Sequence, residues 1–197
     1  MFSRSIGTAA LIPALVLALS GSAPAGQRTS DVDAPRGDNT PTQLFMNIRK
    51  QVLEYPHYTV FDSVRVQMNG GTVTLLGKVT TPEKKDDIEK RVAGVRGVVA
   101  VKNLITVLPA SGSDDDLRVG IANALYNHPS FDRYAGLPNP PVHVIVERGR
   151  VTLEGTIDTE ADRLTALSIA RSFGAFKVED QLKTPAQAKS ELGKLPD

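Results

Sequence analysis

The stretch Gly71-Thr72-Val73-Thr74-Leu75-Leu76-Gly77 returns 78 residues later as Gly149-Arg150-Val151-Thr152-Leu153-Glu154-Gly155. Each copy follows an alternating apolar run, Val64-Arg65-Val66-Gln67-Met68 in the first and Val142-His143-Val144-Ile145-Val146 in the second. Period-two alternation on both sides of a glycine-bearing turn predicts a β-hairpin. Asn69-Gly70 is a strong signal for the tight turn and Arg148-Gly149 a weaker one. Val64, Val66 and Met68 then share a face with Val73 and Leu75. Gly77 and Gly155 fall on that same parity, where a side chain would otherwise pack, so a close approach by a helix or loop is expected there. The chain reads as a tandem repeat built on a hairpin.

Around the first hairpin, Leu44, Ile48 and Val52 recur with helical spacing, with Phe45 widening the stripe. That helix stops before Tyr55-Pro56, because a residue preceding proline avoids the helical region. After the hairpin, Thr81 as N-cap and Pro82 at the first helical position open a second helix. Ile88, Val92 and Val95 mark its buried face, and Gly97 is expected to end it. A β-branched run over residues 98–107 supplies a third strand.

The order αββαβ then restarts. Leu117, Ile121 and Leu125 follow Leu44, Ile48 and Val52 at a spacing of 73, so the second unit carries five extra residues before Val142. Thr159 caps its second helix, with Leu164, Leu167, Ala170 and Phe173 as apolar positions and Gly174 as the stop. Val178 and Leu182 match Val101 and Ile105. A hairpin gives two antiparallel strands, and a third reached through a helix is a parallel neighbour. The expected fold class is therefore α+β: two tandem αββαβ units, each a three-stranded mixed sheet with two helices on one face.

The amino terminus reads as a targeting segment. Arg4 precedes an apolar run of 14 residues, 6–19, and Ala23-Pro24-Ala25 offers a small-x-small cleavage site. Fourteen residues that include Pro13 span a bilayer poorly, since about 20 are needed, so a cleaved signal peptide is preferred to an anchor. A lipoprotein needs a cysteine at that site, and the chain has no cysteine. The expected organisation is a signal peptide over 1–25, a disordered linker over 26–40, units at 41–108 and 114–184 joined by a linker at 109–113, and a polar tail over 185–197. A frayed turn is expected near 188–192. Without cysteines, disulfides and thiolate metal sites are impossible. A net charge of +1 argues against a nucleic-acid binder, and 5% aromatic residues without tryptophan argue against a stacking platform.

Together these residues carry a resemblance. Val-x-Val, then Gly-x-Val-x-Leu-x-Gly, a helix, and Gly-Val-x-x-Val-x-Asn-x-Ile-x-Val is similar to the BON domain, named for osmotically induced periplasmic and nodulation proteins. Gly71, Gly77, Gly97, Val98, Val101, Asn103, Ile105 and Val107 carry it in the first copy. In the second, Gly149, Gly155, Gly174, Val178 and Leu182 do, with departures at Ala175 and Asp180. The resemblance implies a non-enzymatic periplasmic module, active at the cell envelope and in osmotic or envelope stress protection, that binds anionic phospholipid surfaces without a cofactor. In one branch of the family the first helix of the second domain meets the headgroups.

No reaction chemistry is assignable. His128, Ser130 and Asp132 include triad residue types, but five residues of chain do not easily give triad geometry. Asp114, Asp115 and Asp116 lack EF-hand spacing and suit the start of a helix capped by Ser113. His57, His128 and His143 lack metal-ligand spacing, and His143 is expected on the solvent face of its strand. The glycine turns have neither a dinucleotide fingerprint nor a P-loop lysine. The alternative function is a protein-protein adaptor or chaperone-like factor for envelope proteins.

Charge divides the units. Residues 40–108 hold ten Lys/Arg against six Asp/Glu, a net +4, while residues 114–184 hold eight against eleven, a net −3. Lys84, Lys85 and Lys90 crowd one helix of the basic unit, which favours it for an anionic surface. The resemblance favours instead the helix bearing Arg118 and Tyr126. The adjoining insertion, 132–141, has Arg133, Tyr134 and Leu137, residue types suited to a membrane interface. The second unit's helix and loop are the preferred contact, with the first unit adding attraction.

Overall fold

A computed structural model describes residues 40–187. The expected signal peptide, nearly all of the linker and the turn near 188–192 lie outside the described residues. Thr40 caps α1 (Pro41–Leu53), its hydroxyl accepting the Gln43 N–H, and Leu44, Ile48 and Val52 are the buried stripe. β1 (Ser63–Asn69) and β2 (Thr72–Val79) form the hairpin, with Val66 opposite Leu75 and Met68 opposite Val73. α2 (Pro82–Ala93) leads to β3 (Ala100–Val107), which runs parallel to β2, so the sheet order is β1-β2-β3.

The second unit repeats this arrangement. α3 (Gly112–Tyr126) is followed by a single-turn α4 (Asp132–Ala135), the hairpin β4 (Val142–Glu147) and β5 (Arg150–Thr156), α5 (Glu160–Ser172) and β6 (Lys177–Lys183). Its order is β4-β5-β6, again antiparallel and then parallel. In both units the helices share one face of the sheet. Ile48 of α1 and Ile88 of α2 join Val73, Leu75 and Ile105 in one core. Ile121 of α3 and Ala166 of α5 join Val144, Val151 and Leu153 in the other. Each such valine, leucine or isoleucine side chain contributes about 1.5–3 kcal/mol by leaving water.

The recurring final glycine of each hairpin answers a close approach of backbone. Gly77 has φ +126° and Gly155 φ +119°. A Cβ at Gly77 would lie 2.0 Å from the Ser63 carbonyl oxygen, and one at Gly155 would lie 1.9 Å from that of Pro141. At Gly77 the excluding group is the backbone at the start of the paired strand β1, and at Gly155 it is Pro141, the last residue of the loop that enters β4; neither is a helix.

Three local boundaries also move. Gly94 is the C-cap of α2, and Gly97, at φ +100°, instead turns the chain into β3. Ser111 rather than Ser113 caps α3, accepting the Asp114 N–H. The apolar face of α5 is Ala166, Leu167 and Ala170, whereas Leu164 is 58% exposed and Phe173 39% exposed.

The third strand shows why its polar position is Asn in one copy and Asp in the other. Asn103 Oδ1 accepts the Ile105 N–H at 3.1 Å, and Asp180 Oδ1 accepts the Leu182 N–H at 3.0 Å. Each caps a donor of an edge strand, which would otherwise invite another chain. Asn103 also donates to the Lys85 carbonyl and Glu89. Aspartate cannot donate, so Asp180 receives Arg163 at 2.7 Å instead.

Candidate functional site

The third residue of α2 and of α5 is the position where the repeats diverge most in chemistry. Lys84 in the first unit is buried, and its ammonium lies 2.7 Å from Asp62, a carboxylate with no exposure. Asp62 also accepts the N–H and hydroxyl of both Thr59 and Thr80. In the second unit Asp162 takes the place of Lys84 and pairs with Arg133 at 2.6 Å. The Thr159 hydroxyl, then Arg133, hold the Asp162 carboxyl below the usual carboxylate range. Either charge sign serves, provided the segment between the first helix and the hairpin supplies the opposite one.

Several residues expected at a lipid surface therefore have structural work, and the reading of their exposure is corrected. Lys84 is buried beside Asp62. Tyr134 is 6% exposed and belongs to the second core, its hydroxyl accepting the Asp158 N–H at 3.2 Å. Arg133 stacks 4.6 Å from the Tyr134 ring centroid while also pairing with Asp158. Arg118 is 5% exposed, donating to the Val146 carbonyl and pairing with Asp115. Tyr126 is half-buried and donates to the Val142 carbonyl. Lys85 is half-buried, whereas Lys90 and Leu137 are exposed. The insertion is a plug for the core more than a projecting loop.

Asp114 likewise has a role that its run of three carboxylates concealed. It accepts the N–H groups of Arg148 at 2.7 Å and Gly149 at 2.8 Å, bracing the β4–β5 turn where Arg148 adopts φ +53°. Among the described residues, no group of three or more His, Asp or Glu is placed to hold a metal. No helix among them is long and apolar enough to cross a membrane.

A cationic groove of about 590 Å³ lies where α1 and α2 end side by side. Lys50, Lys90, Arg91 and Arg96 line it, with Glu54 the acidic residue among them. Arg91 is committed to structure, donating to the carbonyls of Gln51 and Glu54 and lying over the Tyr55 ring. Lys50 and Lys90 approach Glu54 and Asp87 only to 3.8 Å, with side chains 64% and 77% exposed. Such exposed pairs are weak and exchange partners readily. Cations here also complement the helix C-termini, but Arg96 lies beyond the end of α2 and is exposed. Sequence reasoning found Lys90 and missed Lys50 and Arg96, because 46 residues separate Lys50 from Arg96 and only the packing of α1 on α2 unites them.

The second notable surface is the outer face of β4, opposite its helices. Residues 58–62 cross it as a strap. Val60 and Phe61 pack against the second unit's core, and the Val60 carbonyl accepts the Val144 N–H at 2.7 Å, extending the sheet edge. His143 faces Tyr58 at 5.7 Å between ring centroids. The expectation that His143 meets solvent is thereby corrected: the first unit covers it. Around it Ser63 donates to Glu154 at 2.5 Å, Lys78 pairs with Glu147 at 2.6 Å, and Asn139 donates to the Leu53 carbonyl at 2.7 Å.

Compared with solved structures, the chain is similar to the C-terminal domain of CdsD, a structural protein of the type III secretion system of Chlamydia trachomatis. Identity is 16% and the TM-score 0.30, over 76% of this chain and 68% of that one. A second CdsD structure gives 16% identity and a TM-score of 0.28, over 78% and 99%. No curated protein matches the chain. The family description "BON domain" matches twice, at residues 43–109 and 113–186. BON domains are non-catalytic binding modules found in periplasmic proteins and associated with phospholipid. With its αββαβ order, its paired hairpins and both copies matched, the chain belongs to the BON-domain family as a tandem member.

Proposed function

We propose that this chain is a non-enzymatic periplasmic module, exported with a cleaved leader, that attaches to anionic phospholipid surfaces. The first unit makes the primary contact. The observation that carries this reading is the groove in which Lys50, Lys90 and Arg96 stand exposed between two helix ends. Family membership supports the ligand class, and the unit's net +4 supports the choice of unit. Met46, one turn before Lys50 on α1 and 52% exposed, adds an apolar side chain near the cations. Each basic residue held at an anionic surface contributes about 1 kcal/mol.

The test is flotation with anionic and neutral vesicles. The chain floats with anionic vesicles only, and raised salt releases it by screening. Changing Lys50, Lys90 and Arg96 together to glutamine weakens the partition by roughly 100-fold, three contacts of about 1 kcal/mol each. Equal flotation of that variant would remove the groove from the reading. A second reading, a protein adaptor, is favoured by the exposed Phe176, Phe173 and Val119 of the second unit. Failure to bind either vesicle, with recovery of one defined envelope protein through those residues, would select it.

A further inference from the structure

We propose that His143 and the strap of residues 58–62 form an acid-released latch between the two units. The inference does not rest on the lipid reading.

The latch has one apolar and one polar component. Val60 and Phe61 lie against the second core, while the Val60 carbonyl takes the Val144 N–H from the free edge of β4. Asp62, fixed by Lys84 and Thr80, anchors the strap's other end in the first unit. His143 lies beneath, on the face that the strap covers. Its Nδ1 is buried without a hydrogen-bond partner, an arrangement suited to a neutral ring and costly for a protonated one, whose added N–H would have no acceptor.

The groups facing the imidazole can be named element by element. From the strap come the Tyr58 ring, the Thr59 and Asp62 carbonyls and the Asp62 carboxylate. From β5 comes Glu154, the register partner of His143, already accepting Ser63 of β1 and lying 3.9 Å from Arg65. Arg49 of α1, with Gln181 and Lys183 of β6, completes the lining of the same cleft, which has a volume of about 320 Å³. Burial is the dominant effect and lowers the His143 pKa, while the two carbonyls and the carboxylates of Glu154 and Asp62 oppose it. The sign follows. A histidine with a depressed pKa when docked favours the docked form fully above its free value of about 6.5. That preference declines as pH falls below this value towards the depressed one, by up to tenfold in the opening equilibrium per pH unit.

Opening would bare Val60, Phe61 and Ile145, the last an isoleucine 2% exposed on the outer face of β4. Acid would thus shift the equilibrium from one docked body towards two units with a fresh apolar strip.

The chain has no cysteine, so dyes can be placed on the full chain through Lys102→Cys and Ser168→Cys, one exposed site in each unit. At pH 7.5 one short separation is expected in single-molecule energy transfer. From pH 7.5 to 5.5 the population of a second, longer separation should rise, by at most about tenfold per pH unit below 6.5, with far-UV circular dichroism unchanged. In His143→Phe, which keeps an aromatic ring under the strap but cannot protonate, the short separation should persist at both pH values. A nuclear magnetic resonance titration of the His143 ring in the unsubstituted chain guards against misfolding of that variant: its midpoint should lie below about 6.5 and track the opening. A wild-type separation constant from pH 7.5 to 5.5, opening of His143→Phe identical to wild type, or a His143 midpoint at the free value with no linked change in distance would each overturn the latch.

Discussion

The two units are the same fold with one ion pair inverted. In the first, a lysine at the third position of the second helix is sunk onto a loop aspartate, with 11% and 0% of the two side chains exposed. In the second, an aspartate at that position meets Arg133 of α4, with 12% and 43% exposed. The helix and the segment preceding the hairpin must be pinned together in both, and the fold is indifferent to which side carries the positive charge. The five-residue insertion brings Arg133 and Tyr134 to the second unit's pin, whereas a short strap brings Asp62 to the first. That leaves Val60 and Phe61 of the strap available to grip the other unit.

The comparison breaks most visibly if the buried pair is opened. Replacing Lys84 by methionine leaves Asp62 charged and without its cation, costing about 3–5 kcal/mol. Replacing Arg133 by methionine leaves Asp162 in a wetter site with Thr159 still bound, at about 1 kcal/mol or less. Denaturant titration of both variants measures the ratio. Equal losses would mean that the two pins carry the same burden despite their different burial.

A second substitution should treat the units alike. Gly77→Ala and Gly155→Ala each place a Cβ against a strand carbonyl in a left-handed conformation, with an expected cost of about 2–3 kcal/mol from strain and crowding. The same titration checks it, and an unchanged midpoint for either would show that the local backbone relaxes freely.

The smallest effect concerns acid. The Asp162 pKa is held low by Thr159 and Arg133, so its contribution is full at neutral pH. It declines only as pH falls below about 4 and through the lowered value. Asp162→Asn should flatten the fall in melting temperature below about pH 4 relative to the unsubstituted chain. A variant as acid-sensitive as the parent would assign that decline to other carboxylates.

The repeat, the element order and the sheet pairing were legible because hairpin alternation and helical spacing are local signals, present twice. Family resemblance rested on the same residues. Side-chain destinations were less legible. Tyr134 and Arg133 have the composition of a membrane-facing loop, and only the three-dimensional path of the insertion shows that the ring fills the core and the guanidinium caps it. His143 alternates with valines as a solvent-facing residue should, yet a sheet has two faces and the neighbouring unit covers the second. Leu164 and Phe173 fit a helical stripe as well as Leu167 and Ala170 do, but the buried face runs through Ala166, Leu167 and Ala170. The groove joins Lys50 to Arg96 through helix packing, which no short window of sequence contains.

Under the proposed function these two similar folds divide the work, with the first unit meeting the anionic surface. Hydrogen exchange of the full chain with and without anionic vesicles tests this most directly, because it reports contact segment by segment. The account predicts slowed exchange over residues 47–54 and 90–96, reversed by salt, with residues 132–141 unchanged. Protection confined to α3 and the insertion, with none at the ends of α1 and α2, would contradict it.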